Sequence, residues 1–279
     1  MPDSAPTDHR LGDYVITVAT AFGPRVLGLR HRDGPETFAR LGPEVVIGTG
    51  TDLFRLRGGH RLWAAPEIPA TTYAPDDTPV RVTADSTMVR LSGPPDAAGV
   101  GKELVVREGD LGLDVTHLLS WHGSRAASVA AWAITQLPLG GTAIIPWGGR
   151  DRDGVQADRS LVLWPYTDPT DHRLTLSSHH VTVKATAAPR LKIGAGPDPG
   201  RLGYLRNGWL FSKTVTPAGD GPRVDLGAVG QVFVGEDFCE LETLGPLVRL
   251  QSGDEVEHHE FWRVEPCVDL ADALERMGR

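Results

Sequence analysis

Apolar positions along this chain recur with a period of two far more often than with a helical period. Short runs rich in β-branched or apolar residues, each bounded by Gly, Pro, Asp or Asn, predict strands over residues 14–19, 80–82, 88–91, 103–106 and 113–119. Further runs at 129–137, 161–164, 174–184, 209–215 and 248–250 read the same way. Strands at this spacing point to an all-β protein, a sandwich or barrel of mainly antiparallel sheet. Two stretches break the pattern. Residues 94–103 (PPDAAGVGKE) form a turn-rich connector, and the closing VDLADALERMGR places Leu270, Ala273, Leu274 and Met277 on one helical stripe behind Asp269 as N-cap. A short C-terminal helix docked on the body is expected there. Residues 146–158 (PWGGRDRDGVQAD) are polar, but strand patterns continue on both sides, so one domain is expected over residues 1–279, with 1–10 as a flexible tail.

Composition agrees with many short strands. The 33 glycines and 22 prolines are spread over all 279 residues. The two cysteines, Cys239 and Cys267, are too few for a disulfide framework. No apolar run is long enough to span a bilayer, and the first residues lack the basic start and apolar stretch of a secretory signal. A soluble cytoplasmic protein is therefore expected. The net charge of −8 and the scattered arginines give no basic patch for phosphates, so no nucleic-acid partner is expected. The glycines of GAGPDPG (194–200) are read as a turn between strands; no helix follows to make them a dinucleotide fingerprint.

The segment DFCELETLGP (237–246) puts Glu240 and Glu242 two residues apart, on one face of an extended strand. Two readings fit: a solvated sheet face, or a carboxylate pair in a binding cleft. His60 follows Gly58 and Gly59, which allow close backbone approach to a ligand, and its neighbours Arg57, Arg61 and Trp63 suit a polar ligand site; a capped surface turn is the alternative. Glu67 is either a cleft group or a loop residue. Lys213 shares a strand face with Trp209 and Phe211, and Lys192 lies between Leu191 and Ile193; each either grips an anion or covers apolar surface with its stem. Trp63, Trp147 and Trp164 are possible stacking platforms for a sugar, while Trp132 and Trp262 are assigned to the core, and His117 to sheet packing. His179 and His180 point to opposite strand faces. His258 and Glu260 share a face, but their spacing matches no metal signature, so no metal and no cofactor are expected.

Several blocks in order resemble the galactose-mutarotase-like superfamily, which includes the aldose 1-epimerases, and most of all an uncharacterised bacterial branch of it. They are FGPRVLGLRHRDGPETFAR, RLRGGHRLWAAPE, LVLWPYTDPTD, LKIGAG, GWLFSK and the closing FCELETLGPLVRLQSGDEVEHHEFWRV. The resemblance implies a large antiparallel β-sandwich whose concave face holds a sugar or sugar-like polyol, anionic ones among the candidates. It also implies an isomerase chemistry in which a strand glutamate takes the anomeric hydroxyl proton while a histidine protonates the ring oxygen. Leu241-Glu242-Thr243 matches the superfamily's Leu-Glu-Thr, so the resemblance makes Glu242 the candidate base. The histidine has no counterpart: Trp132 to Gln136 stands in its place, and Gln136 cannot act as an acid near neutrality. His60 and Lys213 are the replacement candidates. Arg57, Trp63, Glu67, Trp164, Lys192 and Glu240 are the expected ligand contacts. A sugar-binding protein without catalysis, and a tailoring enzyme using the same cleft on another metabolite, are the rival readings.

Overall fold

The structure is a computed structural model that describes residues 5–48, 53–147, 154–187, 189–196, 200–216 and 221–278. Two ten-stranded sheets lie face to face, and every named strand pair is antiparallel. The first sheet runs Thr7–Leu11, Tyr14–Val18, Arg25–His31, Gly59–Ala65, Ala127–Pro138, Phe238–Leu244, Gly230–Val234, Leu191–Gly196, Ser160–Leu163, with Val248–Leu250 also on Ala127–Pro138. The second runs Leu174–Leu176, His180–Lys184, Thr142–Pro146, Arg201–Arg206, Trp209–Val215, Glu255–Pro266, Leu113–Trp121, Val100–Glu108, Met88–Ser92, Arg81–Ala84. A small ribbon, Val46–Ile47 with Phe54–Arg55, stands apart from both.

Alternation explains most of these strands. In Tyr14–Val18 the residues Tyr14, Ile16 and Val18 enter the interior and the two between them do not. Four strands of the first sheet differ. Gly59–Ala65 and Phe238–Leu244 are buried at all seven positions, Leu191–Gly196 at all six, and Ala127–Pro138 at nine in succession. Their inner residues, such as Leu62, Ala131, Leu241 and Ile193, belong to the core between the sheets. Their outer residues, Trp63, Ala65, Trp132, Ile134, Phe238 and Leu244, pack in a second apolar cluster with Phe54 and Leu56. A sheet covered on both faces reads as a continuous apolar run rather than an alternating one.

Of the residues expected to form a tail, 7–10 belong instead to the edge strand Thr7–Leu11, paired in register with Tyr14–Val18, and 1–4 lie outside the described residues. The expected strand over 174–184 is two strands broken at Ser177–His179, and the connector ends where Val100–Glu108 begins. Parts of 146–158 and of 194–200 lie outside the described residues. The C-terminal helix is Leu270–Met277, capped by Asp269 Oδ1, which accepts from the Asp272 amide at 3.0 Å. Ala273 and Met277 bury against Ile144 and Leu210 of the second sheet, where Gly203 leaves room for the Met277 sulfur. Among the described residues no helix is long and apolar enough to cross a membrane.

Candidate functional site

A pocket of about 390 Å³ opens over the outer face of these four strands of the first sheet. Because Glu240 and Glu242 alternate with Cys239 and Leu241, both carboxylates point away from the interior core and towards this side. Arg61 and Trp63 reach the same face from Gly59–Ala65, Trp132 and Gln136 from Ala127–Pro138, and Lys192 from Leu191–Gly196. Register lines them up across the sheet. Gln136 is opposite Glu240, Ile134 opposite Glu242, and Phe233 stands between Glu240 and Lys192. Trp164, Tyr166 and Arg190 close one side, and Glu67 and Tyr73 line another, with the Tyr73 hydroxyl donating to Glu67.

The two glutamates have different surroundings. Glu240 lines the pocket; its Oε1 accepts from Arg61 Nη2 and from Gln136 Nε2, both at 3.0 Å, so its Oε2 is left for a ligand. Arg61 stacks on Trp63 at 4.0 Å, and its Nε and Nη1, like the Trp63 indole N–H, are buried without partners among the described residues. Glu242 has no exposed surface and sits beneath Lys192 and Trp132, whose Nζ and Nε1 donate to its Oε2 at 2.8 Å each. Its Oε1 is buried without a partner among the described residues. Burial pushes the Glu242 carboxyl up to about 7, Lys192 pulling against that and Glu240 adding to it. The Lys192 ammonium lies between two indole faces, 4.8 Å from Trp132 and 4.7 Å from Trp164. Thr167 holds that strand to the Trp164 loop by bonding both the Lys192 carbonyl and its amide.

Of the expected ligand contacts, Trp63, Glu67, Trp164, Lys192 and Glu240 come together here. Three expected residues do not. Arg57 is held outside, its guanidinium over Phe22 and paired with Asp77. Gly58 and Gly59 make the close approach, but to the chain itself: a Cβ at either would meet Ala39 O at 2.0 Å or Val26 O at 2.3 Å. His60 and Lys213 face the interior between the sheets, because His60 alternates with Arg61 and Lys213 belongs to the inward face of the second sheet. Trp132 is buried in the second apolar cluster, as its core assignment expects, and its indole in addition lines the pocket and donates to Glu242. Trp147 lies on the second sheet against the interior core, away from the pocket.

His60 and Lys213 belong to a second polar cluster, entirely enclosed. Lys213 Nζ is 2.8 Å from Glu260 Oε1 and also donates to Ala133 O at 3.1 Å. Glu260 accepts from the Thr243 hydroxyl and, at 2.7 Å, from the Trp262 indole. His117 Nδ1 donates to the His258 carbonyl at 2.9 Å, which leaves its Nε2 to accept from His60 Nε2–H at 2.7 Å; Thr135 then donates to His60 Nδ1. His60 and His117 are thus satisfied as neutral rings, whereas His258 Nε2 donates to the Thr243 hydroxyl at 2.8 Å and its Nδ1 is buried without a partner among the described residues. Burial pulls all three imidazoles down, His258 to about 3. Burial pushes Glu260 up, but Lys213 and the neighbouring imidazoles outweigh it and hold the carboxyl well below the usual range. His60, His117 and Glu260 offer donor atoms within 4.8 Å of one another, a set that could hold a metal ion. The Lys213 ammonium already stands against the same carboxylate and would oppose a second cation.

A larger hollow of about 560 Å³ lies beside the C-terminal helix. Its Arg276 is tied to Asp272 and Glu265, and Arg263 to Glu265, so these charges answer one another and not a ligand.

No family model matches the chain, and no curated protein matches it. Solved structures do match. A galactose mutarotase-like protein from Lactobacillus casei aligns over 94% of this chain and 100% of its own, at TM-score 0.53 and 11% identity. The fold is that of the galactose mutarotase-like proteins. A galactose mutarotase related enzyme from Lactobacillus acidophilus aligns over 95% of this chain and 99% of its own, at TM-score 0.56 and 7% identity. An Escherichia coli K12 protein with a provisional aldose 1-epimerase designation aligns over 94% and 99%, at TM-score 0.56 and 12% identity. At such identities the likeness is one of fold, and this chain's chemistry has to be argued from its own pocket.

Proposed function

We propose that this galactose mutarotase-like protein binds a neutral sugar or sugar-like polyol in the pocket over Glu240 and catalyses an epimerase-type opening and closing of its ring. One observation carries the reading. Glu240 has an uncommitted carboxylate oxygen beside the unpartnered N–H groups of Arg61 and Trp63, under aromatic walls. A polyol offers hydroxyls that can donate to the first and accept from the second, while its C–H faces meet the indoles. The floor charges favour a neutral ligand over an anionic one, because Arg61 is paired with Glu240 and Lys192 with Glu242. Within this reading the general base is Glu240, which lines the pocket, in preference to Glu242, which Lys192 and Trp132 cover. Removing such a base costs about 10²- to 10⁴-fold in rate.

Exchange NMR on D-glucose, D-galactose, D-xylose and L-arabinose tests the proposal. Wild type should accelerate exchange between the anomers of at least one sugar, and Glu240→Gln should abolish the acceleration. A second reading, a binding protein without catalysis, is favoured by the absence of any histidine among the described residues lining the pocket. Saturation transfer to a sugar without faster exchange would support it.

A further inference from the structure

We propose that Lys192 and Glu242 together form the acid arm of the pocket, Lys192 passing a proton to the ring oxygen of the bound sugar and Glu242 replacing it. This inference rests on the sugar-directed reading above and names the proton donor that the reading lacks.

The pocket's donors narrow the choice. The guanidiniums of Arg61 and Arg190 do not release a proton. The hydroxyls of Tyr73 and Tyr166 are both pushed well up by burial, so they too are poor acids. Among the pocket's nitrogen and hydroxyl donors Lys192 remains, on the same sheet face as Glu240 and two strands away through Phe233, a backbone separation of roughly 10 Å. A sugar ring held between them would meet a carboxylate on one side and an ammonium on the other.

An isolated ammonium is a weak acid near neutrality. Here it is not isolated. Its carboxylate partner, Glu242, is sealed from solvent, lies 2.8 Å away and has an oxygen, Oε1, with no hydrogen bond among the described residues to keep it ionised. With that carboxyl raised to about 7, the pair often holds one proton more than an ordinary ion pair at neutral pH. When Lys192 gives up a proton, rotation of the Glu242 carboxyl brings the proton held on Oε1 to the 2.8 Å contact and refills it, and the product is a lysine–glutamate ion pair. The pair then releases its proton with the strength of the carboxyl.

The step balances without a co-reactant. Glu240 takes the proton of the anomeric hydroxyl, whose oxygen forms the carbonyl as the bond from the anomeric carbon to the ring oxygen breaks. That electron pair stays on the ring oxygen, which takes a proton from Lys192 Nζ, and Glu242 reprotonates Lys192. Rotation of the aldehyde and the reverse transfers give the other anomer.

The test is the pH dependence of anomer exchange on any of the four sugars that wild type accelerates. Wild-type exchange should fall as pH rises through about 7, where Glu242 loses its proton. Glu242→Gln should remove that fall. Lys192→Met should lower the rate about 10²-fold or more with the sugar's Kd changed only a few-fold, and Lys192→Arg should not restore it. If wild type accelerates exchange and Glu242→Gln keeps the same fall, or Lys192→Met keeps the rate, the relay is wrong and the sugar reading stands. If wild type accelerates none of the four, the sugar reading fails and the relay with it. Infrared difference spectra of the free protein decide the matter even if a variant does not fold. Wild type should show a protonated-carboxyl band titrating near pH 7, present in Glu240→Gln and absent in Glu242→Gln. Its absence from wild type overturns the proposal.

Discussion

The molecule contains the same construction twice, once between the two sheets and once on the outer face of the first. Lys213 with Glu260 and Lys192 with Glu242 are both 2.8 Å lysine–glutamate pairs, and each carboxylate also accepts from an indole N–H, Trp262 in one and Trp132 in the other. Their titrations go opposite ways: Glu260 is held far down and Glu242 is pushed up. Burial is complete for both carboxylates and does not separate them. Neighbouring charge does, since Lys213 and the imidazoles pull Glu260 down while Glu240 works against Lys192 at Glu242, and the hydrogen bonding differs in the same sense. Glu260 has partners on both oxygens and Lys213 has a carbonyl as well as a carboxylate, so every charge there is answered. Among the described residues Glu242 Oε1 has no partner, and beyond Glu242 Lys192 meets the ring faces of Trp132 and Trp164. A saturated pair is a fastener, whereas an unsaturated one can exchange protons.

The largest difference should appear when each lysine is removed. Lys213→Met strands a buried carboxylate and should cost about 3–5 kcal/mol in urea unfolding at pH 7. Lys192→Met should cost far less at pH 6, because Glu242 can neutralise itself, with the cost rising by at most about 1.4 kcal/mol per pH unit above its raised value. Equal losses at pH 6 would break the comparison.

Next in size is the dependence of stability on pH. His60, His117 and His258 are lowered in the folded protein, so the unfolded chain binds protons that the folded one refuses. Stability should therefore fall as pH drops below about 6.5, by up to about 1.4 kcal/mol per unit for each imidazole. Glu242 acts in the other direction: between about 4.5 and 7 the folded protein holds a proton that the unfolded chain has lost, so acidification favours folding through this group. Urea midpoints at pH 7.5, 6.5 and 5.5 should decline on acidification, and more steeply in Glu242→Gln than in wild type. The smallest effect is a control remote from both pairs. Asp269→Ala removes the C-terminal helix cap and should cost about 1 kcal/mol without altering either pH response.

Much of this was legible in the sequence. Strands with one wet face, such as Leu113–Trp121, declare themselves by alternation, and so does the capped C-terminal helix. Glu240 and Glu242 were placed on one face correctly, since a period of two needs no tertiary knowledge. The same rule already separates His60 from Arg61 and Trp63, so the signal that His60 leaves the pocket was present in RGGHRLW. Alternation alone does not say which face meets the other sheet. Tyr73, Tyr166 and Arg190 come from loops, where no period operates, and the depth that covers Glu242 depends on Trp132 and Lys192 from two other strands. The saturation of Lys213 likewise joins groups far apart in sequence, Ala133, Thr135 and Glu260.

The alternation of His60 with Arg61, Thr135 with Gln136, and Thr243 with Glu242 has a consequence for how this protein can change. Neighbouring letters of the same strand serve two chemistries that never meet. Substitutions at the outward letters can retune the ligand while the inward letters keep the sheets fastened, so specificity can drift without dismantling the scaffold. Inserting or deleting a single residue within one of these strands would instead exchange the two sets, and a lineage exploring new ligands here is confined to replacing side chains or to lengthening loops.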